Sequence, residues 1–79
     1  MSSEQIQALN KIISIIDEKA THLKDSVYDL NPAQRYANKK LILDLIGDAL
    51  KLASTIKPAP EDAIFDLKKL SDQISQIHH

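Results

Sequence analysis

Eight apolar residues between positions 6 and 30 recur at alternating steps of three and four: Ile6, Leu9, Ile13, Ile16, Ala20, Leu23, Val27 and Leu30. No polar residue interrupts the series. A seam of this period, held over almost four heptads, puts one continuous apolar face on an α-helix and calls for a partner helix at a shallow crossing angle. The partner has to come from the rest of the chain or from another molecule.

The chain supplies two further segments. Asn31-Pro32 punctuates the sequence once, because a residue before proline avoids helical geometry while proline suits a first helical turn. Lys57-Pro58-Ala59-Pro60 punctuates it again, since prolines this dense cannot continue a helix interior. The predicted helices run over about 3–30, 32–56 and 60–77. Ser2 with Gln5, and Asn31 with Gln34, have capping-box spacing, and Glu4, Glu61 and Asp62 place acids in first turns, where the helix dipole favours them. Asp25-Ser26 is the weak point of the first helix, being two poor helix formers before Val27.

The second helix carries two apolar stripes, Ile42, Leu45, Ala49, Leu52 and Ile56 beside Tyr36, Leu43, Ile46, Leu50 and Ala53. That width serves two partners. The one glycine, Gly47, lies inside this pattern and implies a close helix–helix approach there. The third helix repeats Ala63, Leu67, Leu70, Ile74 and Ile77. The expected architecture is all-α: a single domain over residues 1–79, folded as an antiparallel up-down-up three-helix bundle. The third helix is the shortest, so it is expected to cover the first two thirds of helix 1 and to stop short of the helix 1–2 turn. A second apolar strip on helix 1 (Ala8, Ile12 and Ile15) gives way to Lys19 and His22 about where that cover would end.

Composition narrows the function classes. At 79 residues and a net charge of −1, the chain lacks the excess of Lys and Arg that marks dedicated nucleic-acid binders. It has no cysteine, hence no disulfide framework and no thiolate metal site, which fits a reducing compartment. The start carries no secretory signal pattern and no apolar run approaches the roughly 20 residues of a membrane span, so a cytoplasmic location is the default expectation. His78-His79 could be native or a tag remnant and carries no argument.

There is no Gly-rich phosphate loop, no nucleophile elbow and no cysteine nucleophile, and the lone internal histidine, His22, is no general base without an orienting partner and a pocket, so no enzyme activity and no cofactor are expected. Glu18, His22 and Asp25 share one side of helix 1 at ligand-like spacing, yet that side faces away from the seam and no second ligand set exists, so they read as a solvated charged face with no metal. The most distinctive place is the helix 1–2 end, where both tyrosines meet basic residues. Tyr28, Arg35, Tyr36, Lys39 and Lys40 form the expected partner-binding set, since tyrosine and arginine are favoured interface anchors. Basic residues in the first turns of helix 2 also run against the dipole preference, which sharpens that expectation.

The functional expectation is therefore a non-enzymatic protein–protein interaction module with a protein partner, such as an adaptor, a regulator or an immunity or antidote-like bundle. The first alternative is a self-associating structural bundle, a homodimer through Ile12, Ile15, Ile64 and Phe65. The weaker alternative is binding to an anionic surface or nucleic acid through Arg35, Lys39 and Lys40.

Overall fold

The computed structural model describes residues 2–77, with side chains from residue 4 onward. Met1 and His78-His79 lie outside the described residues. Three helices follow in order, α1 (Ser2–Ser26), α2 (Pro32–Ala53) and α3 (Glu61–Ser75), and they pack as a three-helix bundle 43 Å long.

The first boundary falls at the weak point of the seam. α1 ends at Ser26, whose carbonyl accepts hydrogen bonds from the amides of Asp29 (2.9 Å) and Leu30 (3.1 Å), so Val27 to Leu30 turn instead of extending the helix to residue 30. Asn31 then starts α2 with a complete capping box. Its Oδ1 accepts from the Gln34 amide at 2.8 Å, and Gln34 Oε1 accepts from the Asn31 amide at 3.0 Å. The Ser2 side chain expected to cap α1 lies outside the described residues; Gln5 Nε2 donates across the bundle to Thr55 Oγ1 (3.4 Å).

α2 is the middle helix, packed on both neighbours. Its two stripes merge into one broad face: Ile42, Ile46, Ala49 and Ala53 are buried, and Leu43, Leu45, Leu50 and Leu52 flank them half-buried. Leu9, Ile16, Ala20 and Leu23 of α1, Leu67 and Ile74 of α3, and Ile56 between α2 and α3 complete the core, and among the described residues no polar side chain is buried with them. The four α1 residues are members of the seam read from the sequence; of the rest, Ile13 is half-buried, Ile6 is 43% exposed, and Val27 and Leu30 lie half-buried in the turn beyond α1.

α3 is placed differently from expectation. It runs parallel to α1, but Ala63 and Leu67 lie against Ile13 and Asp17, and Ile77 lies beside Val27. The third helix therefore covers the distal part of α1 and reaches the helix 1–2 turn; the end it leaves open is the start of α1. The cause is the segment between α2 and α3. α2 stops at Ala53, earlier than the predicted residue 56, and residues 54–60 return along the bundle before α3 begins. Ile56 in this segment is 2% exposed and fills the end that α3 does not reach. The strip of Ala8, Ile12 and Ile15 consequently does not mark the cover by α3, which touches the opposite flank of α1 at Ile13 and Asp17.

Gly47 corrects a second expectation. It is exposed, and a Cβ built there meets nothing within 4 Å, so no close helix approach requires it. Gly47→Ala is expected to stabilise the fold by about 1 kcal/mol, because alanine costs less backbone entropy in a helix. A melting temperature raised by about 4–8 °C would show it; an unchanged or lowered one would mean that something packs on that face.

Candidate functional site

Three helix ends meet at the tyrosine-bearing tip: the C-termini of α1 and α3 and the N-terminus of α2. Two carbonyl-rich ends thus flank one amide-rich end, and the tip has a surplus of backbone acceptors. The basic residues of α2 answer that surplus. Arg35 Nη1 donates to the Val27 carbonyl (3.0 Å) just beyond α1, and Lys39 Nζ donates to the Ile77 carbonyl (2.9 Å) just beyond α3. The apparent conflict between these cations and the dipole of their own helix disappears, because they serve the opposite dipole ends of its neighbours.

Of the five residues expected here, the structure gathers Tyr28 and Arg35 with Val27, Gln76 and Ile77 around one depression. Tyr36, Lys39 and Lys40 line an adjoining one with Leu43 and Asp44. Arg35 and Tyr36 are neighbours in sequence, and the Lys39–Ile77 bond ties the two depressions together. Gln76 and Ile77 are the members that sequence reasoning missed, since α3 was expected to stop short.

The five differ in what they have left to offer. Arg35 and Lys39 are partly buried and committed to carbonyls; Arg35 Nε is buried without a hydrogen-bond partner. Lys40 is exposed and pairs loosely with Asp44 at 3.6 Å, an i,i+4 contact worth a few tenths of a kcal/mol at most. Tyr36 is about half-exposed, and Tyr28 is 95% exposed. A ring that protrudes almost wholly into solvent contributes nothing to the core, so the fold gives no reason for tyrosine at position 28.

Elsewhere the candidates thin out. Glu18, His22 and Asp25 line an open, shallow depression with Asp17 and Thr21, and among the described residues no three His, Cys, Asp or Glu are placed to share a metal ion. Ile12 and Ile64 pack against the core, leaving Ile15 at 37% and Phe65 at 67% exposed on different helices. Each of the two apolar strips that the sequence offers for self-association, Ile12 with Ile15 and Ile64 with Phe65, thus keeps one exposed member. Among the described residues no helix is long and apolar enough to cross a membrane. No family model, curated protein or solved structure matches this chain.

Proposed function

We propose that the protein is a non-enzymatic interaction module that holds a protein partner at the tip formed by Tyr28, Tyr36, Arg35, Lys39 and Lys40. The observation that carries this reading is Tyr28, a large amphipathic ring left 95% exposed beside a depression whose walls are fixed by two side-chain-to-carbonyl bonds. Tyrosine on a rigid edge gives contact area at low entropy cost, which is why it recurs among interface hot spots. Arg35 and Lys39 act as supports that hold the tip in shape; the contact falls to Tyr28, Tyr36 and Lys40. Binding to nucleic acid or an anionic surface has less support, because two of its three cations are already engaged by backbone oxygens.

A photo-crosslinking residue in place of Tyr28, compared with the same residue in place of Glu18, tests this in lysate of the source cells. The reading expects a discrete protein adduct from position 28 only, and a purified partner to lose about tenfold or more in affinity on Tyr28→Ala with helicity unchanged. Equal labelling at both positions, or affinity that ignores Tyr28→Ala, would remove the tip from consideration.

A further inference from the structure

α2 packs broadly on both of its neighbours, whereas the two parallel helices, α1 and α3, meet only marginally. A groove runs between them, floored by Ile13, Ala63, Leu67 and Leu70. Its register is kept along its length: Ile13 and Asp17 lie against Ala63 and Leu67, and Val27 lies against Ile77. Over about 14 helical residues, or about 21 Å, the groove therefore leads from Ile13 to the depression beside Tyr28.

At the end far from the tip the two lips are acidic. Asp17 of α1 and Asp66 of α3 border the apolar floor, and no basic residue lines it with them. Both are exposed, and neither has an ion-pair or hydrogen-bond partner among the described residues. Nearer the tip the charges are mixed, Lys24 and Asp25 on α1 with Lys69 on α3, and they select nothing.

We propose that the protein partner held at the tip continues into this groove as an amphipathic helix of about four turns, antiparallel to α1 and α3, with a lysine or arginine set between Asp17 and Asp66. The proposal rests on the tip reading for its starting point and goes beyond it by naming the element bound. Continuity argues the place, because the groove opens into the depression beside Tyr28. Parallel neighbours argue the direction: α2 already lies antiparallel to both on the inner side, and a fourth helix running the same way completes an antiparallel bundle. Charge argues the chemistry. A long basic side chain lays its apolar stem along Ile13 and Leu70 while its head reaches the two carboxylates. That end is the C-terminal end of the incoming helix, where its own dipole also favours a cation.

The probe is a stapled helical peptide of about 14 residues with a leucine stripe, one lysine near its C-terminus and no other charge. Titrated to about 1 mM into the isotopically labelled chain, it should shift the amide signals of Ile13, Asp17, Ala63, Asp66 and Leu70. Leu41 and Asp48, on the far side of α2, should stay in place. Exchanging the peptide's lysine for glutamate should weaken binding about tenfold or more, and Asp17→Lys with Asp66→Lys should reverse that preference. Both aspartates are exposed, so circular dichroism should not change. The same double variant should cost a partner captured through position 28 about tenfold in affinity with Tyr28 intact. No shift at about 1 mM, shifts centred outside the groove, a preference that ignores the exchange, or unchanged affinity of the captured partner would each overturn the proposal. A failed cross-link at position 28 with a successful titration would remove the tip reading and the continuity with it; a failed titration would remove the groove alone.

Discussion

Replacing Ile46 with alanine is expected to remove about 2–5 kcal/mol of stability, the range for truncating a large aliphatic side chain in a packed core. Ile46 is 1% exposed on α2, the helix that touches both others, so the cavity opens where neither neighbour can close it alone. A domain of 79 residues has roughly 5–10 kcal/mol in all. The loss is therefore a large fraction of the total, and the melting temperature should drop by about 10–25 °C. Urea unfolding followed by far-UV circular dichroism measures it directly. A loss below about 1 kcal/mol would show that α2 is not the centre of the core.

The second large effect separates two residues of α3. Ile74 is fully buried and Phe65 is 67% exposed. Ile74→Ala should cost about 2–5 kcal/mol, while Phe65→Ala should stay within about 0.5 kcal/mol of the parent. The larger side chain thus matters less, because burial and not size decides the cost. If both changes were neutral, α3 would not be docked; if Phe65 were the costly one, α3 would be rotated about its axis.

Much of this architecture was legible in the sequence because it depends on period and punctuation. The alternating steps of α1 name its buried residues, Leu9, Ile16, Ala20 and Leu23, with Ile13 half-buried among them, and Asn31-Pro32 with Gln34 names the start of α2 and its capping box. The double stripe of α2 foretold two partners. What could not be read was trajectory. Nothing in the spacing of Ala63 to Ile77 fixes how far along α1 the helix sits; that is set by how residues 54–60 turn and by Ile56 filling the vacant end. The early end of α1 at Ser26 was visible as a weakness at Asp25-Ser26 but not as a decision, since Val27 and Leu30 continue the seam in sequence and stay half-buried in the turn.

The candidate tip shows the same division. The clustering of Tyr28, Arg35, Tyr36, Lys39 and Lys40 is a matter of sequence proximity, and the mismatch between the cations and the dipole of α2 was a real signal. Its meaning lay in tertiary structure, because the carbonyls of Val27 and Ile77 that engage Arg35 and Lys39 arrive from other helices. Local sequence therefore located the tip and overstated how many of its charges are available.

The parallel docking of α3 along α1, with its end at the tyrosine tip, is the claim on which the site, the core and the α1–α3 groove all depend. The chain has no cysteine, so a single spin label can be attached through Tyr28→Cys at a side chain that the fold does not use. Paramagnetic broadening of amide signals should then be strong at Ser75, Gln76 and Ile77 and absent at Glu61, Asp62 and Ala63. Broadening at Glu61 to Ala63, or none anywhere in α3, would contradict the placement of the third helix.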